Sequence, residues 1–159
     1  MVLNVLIIIA AFMVMEFMAW FTHKYIMHGG MWHFHKDHHD HSSESFFEKN
    51  DIFFLIFALP SWLGIMFGAM NGFDFKFYIG IGILLYGIAY FMVHDVVIHQ
   101  RFKWFSKSEN WYVKGIKRAH KVHHKHLDKV DSENFGMLIV PFHYFKEKSS
   151  NQQNVLINS

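Results

Sequence analysis

The sequence predicts an all-α integral membrane protein, with about three transmembrane helices carrying a histidine-rich helical cap on the cytoplasmic side. Three observations predict it. Apolar runs with at most one charge occupy residues 2–20, 52–70 and 77–93. Ten of the fourteen histidines fall in a spacing that occurs twice, each time at and beyond the end of an apolar run. Nine of the fifteen Lys and Arg residues crowd between Arg101 and Lys129. At 159 residues the chain is expected to form one domain, 1–159.

The first run, VLNVLIIIAAFMVMEFMAW, holds a single charge, Glu16. At about 1.5 Å per residue a helix of this length crosses a bilayer. A cleaved signal peptide would need positive charge before the apolar stretch and a small-residue cleavage site after it. Neither is present, so a retained span over about 2–22 is expected. Residues 29–50 are polar, broken by Gly29-Gly30, and Asn50-Asp51 reads as a cap for the next helix. The second span, about 52–70, contains Pro60, which should kink it, and Gly64-x3-Gly68, which suits a close helix contact. A short turn at 71–76 leads to the third span, about 77–94. Residues 108–127 read as a helix with a basic face. FGMLIVPF (135–142) is too short to span, and the polar tail 147–159 is expected to fray.

Three spans put all the repeated histidines on one side, together with Lys24, Lys36, Lys49 and the basic segment 101–129; the other side shows only Lys76. The positive-inside rule makes the histidine side cytoplasmic, at the inner membrane. The basic segment therefore reads as a juxtamembrane surface facing membrane lipids, and no nucleic-acid partner is expected. The absence of cysteine excludes disulfides, Cys-ligated zinc, and iron–sulfur clusters held by this chain.

The spacings are His23-x4-His28 and His35-x2-His38-His39, then His94-x4-His99 and His120-x2-His123-His124. On a helix each residue turns about 100°. The rings of His-x2-His-His therefore share one face, the first and third as an i, i+4 pair able to hold one metal. The middle ring points aside and can reach a second metal. His-x4-His sets its rings about 140° apart. Either the helix end loosens to bring both to one ion, or each serves a different ion. Ten imidazoles over two ions give five each and leave a position open. That disfavours four-coordinate zinc and suits iron and O2.

Neutral imidazoles leave the cations uncompensated, so nearby carboxylates are expected to orient the rings. The candidates are Glu16, seven residues before His23, together with Asp37, Asp40 and Asp95. A carboxylate inside a membrane helix is functional by default. His33, His41, His126 and His143 lie outside the spacing, although His33 stands as an alternative to His35. A metal transporter would place its ligands near the membrane midplane rather than at one boundary. A desaturase, or a fatty acid or sterol hydroxylase, would use the same chemistry, and spacing alone does not separate these.

HKYIMH (23–28), HKDHH (35–39), FMVHDVVIHQRF (91–102) and AHKVHH (119–124) closely resemble the motifs of the bacterial β-carotene hydroxylases, non-haem diiron members of the wider fatty acid hydroxylase superfamily. The likeness runs from about Glu16 to Pro141. It implies an O2-dependent monooxygenase that hydroxylates β-carotene at ring C3, giving β-cryptoxanthin and then zeaxanthin. By motif it implies two iron ions held by His23, His28, His35, His38, His39, His94, His99, His120, His123 and His124. The substrate would enter from the bilayer. The electrons would come from an external carrier such as a ferredoxin, docking on the basic segment.

Overall fold

A computed structural model describes residues 1–39, 48–105, 107–125 and 134–146. Helix α1 runs Val2–Phe21 and passes into a π-helical segment, Thr22–Gly30. Helix α2 is Trp32–His39, α3 is Ile52–Met70 and α4 is Phe75–Phe91. A second π-helical segment, Met92–Ile98, continues α4, and α5 is Trp111–Lys125. Short 3-10 turns stand at Lys49–Asp51, Lys103–Phe105 and Phe142–Phe145. There is no strand among the described residues.

Among the described residues, three helical stretches are long and apolar enough to cross a membrane: Val2–Gly30, Lys49–Met70 and Phe75–Ile98. Helix is the expected state here, because lipid offers no partner for an unpaired backbone N–H or C=O. Val14, Phe17, Phe54, Leu55 and Trp62 turn outward, as side chains solvated by lipid do. Segment 135–142 does not form a further span; it runs irregularly into the turn at Phe142–Phe145. Helix α3 runs through Pro60 as one element. One local expectation changes. Asp51 does not cap α3; its carboxylate takes the Glu48 N–H at 3.1 Å in a capping box around the preceding turn.

Helix α4 is the centre. It packs on α1 and on α3, which have no comparable contact with each other. Glycines set these approaches. A Cβ on Gly80 would lie 2.7 Å from both Ile65 N and Ser61 O, and one on Gly68 would meet the backbone of Phe77. Ser61 Oγ donates to the Gly80 carbonyl at 2.8 Å across the same contact. Because α1 and α3 flank α4 without closing on each other, a cavity of about 640 Å³ remains between them. Phe53, Phe57, Ile65 and Ile83 line it, and it ends at His23 and His94.

Gly80→Ala should destabilise the protein by about 1–3 kcal/mol, since backbone atoms cannot yield without parting α3 from α4. Gly87→Ala, whose Cβ would meet nothing within 4 Å, should be neutral or stabilising by up to about 1 kcal/mol. Thermal unfolding in detergent reads the opposite signs.

Candidate metal centre

His23 and His28 lie in the first π-helical segment, and His94 lies in the second with His99 just past its end. His99 N–H donates to the His94 carbonyl at 2.9 Å, and Met31 N–H to the Ile26 carbonyl at 2.9 Å, each across five residues. A ladder of i→i+5 bonds widens the turn, so rings five apart come to one side. The sequence left open whether such a pair converges on one centre or splits between two. Both pairs converge, with ring centroids 5.2 Å apart for His23 and His28 and 4.5 Å for His94 and His99.

Nine of the ten spaced histidines gather into two sets whose ring nitrogens lie within 4.8 Å of one another. The first set is His23, His28, His35, His39 and His123; the second is His38, His94, His99 and His120. His35 and His39, the first and third rings of their motif, share a set, and the middle ring His38 crosses to the other. His123, the middle ring of the second motif, crosses the opposite way. His124 lies between the sets, stacked on His39 with centroids 4.4 Å apart and tilted against His120 at 4.4 Å and His99 at 5.2 Å. His33 is exposed and outside both sets, whereas His35 is 2% exposed. His143 sits apart in the turn Phe142–Phe145. His41, His126 and Asp40 lie outside the described residues.

The outer ring nitrogens decide what the inner ones can do. His23 Nδ1 donates to the Phe135 carbonyl at 3.0 Å, and His35 Nδ1 to Asn50 Oδ1 at 2.7 Å. His38 Nδ1 donates to Glu48 at 2.8 Å, and His94 Nδ1 lies 3.3 Å from Asp95. With the proton on Nδ1, each Nε2 carries a bare lone pair. Yet His23 Nε2 stands 3.1 Å from His35 Nε2, and His38 Nε2 stands 3.1 Å from His94 Nε2. Lone pairs facing at that distance repel unless a cation lies between them. An extra proton is opposed by burial, which pushes the His35 ring down to about 3 against the opposing pull of the Asn50 bond. Burial, and then the charge of His94, likewise holds His38 and His120 well below the ordinary histidine value. A metal ion fits: two nitrogens about 2.1 Å from an ion and at right angles to each other stand about 3.0 Å apart.

The carboxylate expectations divide. Asp95 faces His94 as expected. Asp37 instead accepts the Lys49 N–H at 2.7 Å. Glu16 reaches no ring; it binds a backbone segment, described below. Sequence reasoning missed Glu48, Asn50 and Arg101. Glu48 carried no usual signal, since the box it forms with Asp51 departs from the Ser/Thr-x-x-Glu/Gln pattern. Arg101 ties the group together, with Nε 3.1 Å from Asp95 and a terminal nitrogen 2.9 Å from Asp51 and 3.5 Å from Glu48. Burial raises the Glu48 carboxyl while the Arg101 charge opposes that rise.

Comparison with known proteins now bears on this geometry. A family model described as fatty acid hydroxylase matches residues 8–145. The chain belongs to the fatty acid hydroxylase family. It is 38% identical over 138 residues to a β-carotene hydroxylase of Pantoea ananas, covering 87% of this chain and 78% of that one. It is 36% identical to a β-carotene hydroxylase of Pseudescherichia vulneris, covering 87% and 77%. A chloroplastic β-carotene 3-hydroxylase of an Oncidium hybrid cultivar is 35% identical, covering 79% of this chain and 41% of the plant protein. No solved structure matches. Family membership makes the chain a hydroxylating oxygenase.

Neutral burial of His35, His38 and His120 has a consequence for pH. Their folded-state values lie below the ordinary 6.5. Below 6.5 the unfolded chain therefore binds protons that the native rings refuse, and stability falls as pH falls, by up to about 1.4 kcal/mol per pH unit for each ring. Metal-free protein should lose thermal stability steadily from about pH 6.5 to about pH 5 and vary little above about pH 7.5. A midpoint that is flat or rises on acidification would contradict neutral burial.

Proposed function

We propose that each histidine set holds one iron ion and that the chain hydroxylates β-carotene at ring C3, to β-cryptoxanthin and then zeaxanthin. One observation carries this reading: the facing imidazole lone pairs stand at the head of an apolar cavity bounded by membrane helices. His124 completes the second set as its fifth ligand. The relatives named for β-carotene hydroxylation support the choice of substrate, and the one named as a 3-hydroxylase supports the position.

When bound, the two ions supply the O2 activation that an unactivated C–H bond requires. One oxygen atom enters the substrate and the other leaves as water, at a cost of two electrons and two protons per hydroxyl. This cysteine-free chain holds no iron–sulfur cluster of its own, so an external carrier brings the electrons. The exposed Lys103, Lys107, Arg118, Lys121 and Lys125 offer it a positive surface.

The chain's own residues do three things. His23, His35, His38 and His94, held by their outer nitrogens, aim Nε2 inward, so the site is organised before it is loaded. Phe53, Phe57 and Ile83 exclude water from the approach. Phe54, Trp62 and Phe91 line the cavity and are also exposed on the outer surface of the helices, so a long apolar molecule can enter sideways from lipid.

Expressed with iron and air in a bacterium that accumulates β-carotene, the chain should yield mono- and dihydroxylated products. Under labelled O2 each new hydroxyl should carry the label. Label from water would refute an oxygenase. Labelled hydroxyl on an acyl chain or sterol, with β-carotene untouched, would discard the carotenoid assignment and keep the metal site. For orientation, a reporter fused after Lys125 should read cytoplasmic and one inserted near Asn71 periplasmic; the reverse pattern would place the metal site outside.

A further inference from the structure

Glu16 is 8% exposed, on a helix otherwise free of charge, and it touches no histidine. Its Oε1 accepts three consecutive backbone N–H groups, from Met137 at 3.1 Å, Leu138 at 3.0 Å and Ile139 at 3.0 Å. Its Oε2 accepts the Tyr86 hydroxyl from α4 at 2.8 Å. All four partners are donors, the set a carboxylate is suited to receive and an apolar side chain is not. One buried side chain thus joins α1, α4 and a segment more than a hundred residues away in sequence.

That segment, 134–140, is a strap laid across the first histidine set. The Phe135 carbonyl accepts the His23 Nδ1 proton, and the Phe135 ring meets His23, His28 and His123 with centroids 5.2–5.5 Å away. The strap is shaped for its seat. Asn134 enters with φ of 62° and donates from its amide to the Ala119 carbonyl at 3.3 Å. A Cβ on Gly136 would lie 2.8 Å from the Ile139 carbonyl and 3.4 Å from Glu16 Oε1. Tyr112 donates to the Leu138 carbonyl at 2.7 Å, fastening the strap to α5 as well.

We propose that Glu16 is a positioning residue for the first metal site. It anchors the strap, and the strap holds His23 with its proton on Nδ1 and its lone pair on Nε2 turned inward. In the second set, His38 and His94 are held by Glu48 and Asp95, which lie off the strap. Losing the anchor should therefore affect one site and spare the other. This rests on the reading that each set holds an ion.

The test compares wild type with E16L and E16Q by anaerobic titration with Fe(II) alone and by amide hydrogen exchange. Wild type should bind two ions. E16L should keep one at wild-type affinity and bind the other about 10–100-fold more weakly, the range for losing a ligand's outer partner. Its amides at 137–139 should exchange at least about tenfold faster. E16Q, which keeps a carbonyl acceptor for the three N–H groups, should recover most of both. Two ions at wild-type affinity in E16L, or equal weakening of both, would overturn the proposal. If E16L does not fold, E16A decides, since it too removes the acceptor: faster exchange at 137–139 with one site weakened supports the anchor, and unchanged exchange defeats it. A wild-type chain that takes up no iron sinks the metal reading alone, and unchanged exchange in E16L would separately sink the anchor.

Discussion

Bare imidazole nitrogens do not face one another at 3.1 Å in a dry interior without a cation to share, and much of this structure serves that requirement. In His23, His35, His38 and His94 the inward lone pair exists because the ring's proton sits on the outer nitrogen, turned toward a fixed acceptor. Three acceptors come from other elements, Glu48 and Asn50 from the turn before α3 and Phe135 from the strap, while Asp95 adjoins its own ring in the π-helical segment after α4. Holding those acceptors still is the work of Arg101 on one side and Glu16 on the other. The membrane helices then set where this polar assembly stands, at the end of the bundle where the cavity closes.

Much of the architecture was legible in the sequence because lipid imposes a simple rule on composition. Runs of nineteen or so apolar residues have few alternatives to a helix, and the three runs appear as three helices. The i, i+4 geometry of His35 and His39, with His38 turned aside, followed from the pitch of the α-helix alone. His-x4-His was harder. On an α-helix its rings diverge, and only the i→i+5 bonds around His94 and Ile26 remove the ambiguity. Nothing local in MVHDVVI announces a π-helix.

The supporting groups were the least legible part, for a physical reason. A carboxylate near a histidine in sequence is near it in space only if the backbone between them is regular. Asp95 met that condition; Asp37 turned to the exposed Lys49 N–H instead. Glu16 lies two turns below His23, and the strap occupies its hydrogen-bonding capacity. The Phe135 carbonyl leaves no trace in sequence, because every residue has one. Long-range pairing of backbone with side chain is a property of the fold.

The exchange of middle rings has a consequence for when the site can exist. His38 belongs with rings that follow it by 56 residues or more, and His123 with rings that precede it by 84 or more. While the ribosome is still making the second half, the first half offers four rings of a five-ring set and none of the partners that His38 needs. On the proposed two-ion reading, complete coordination is therefore reserved for the finished chain, and the arrival of α5 with His120 and His123 acts as a checkpoint on assembly as well as a structural contact.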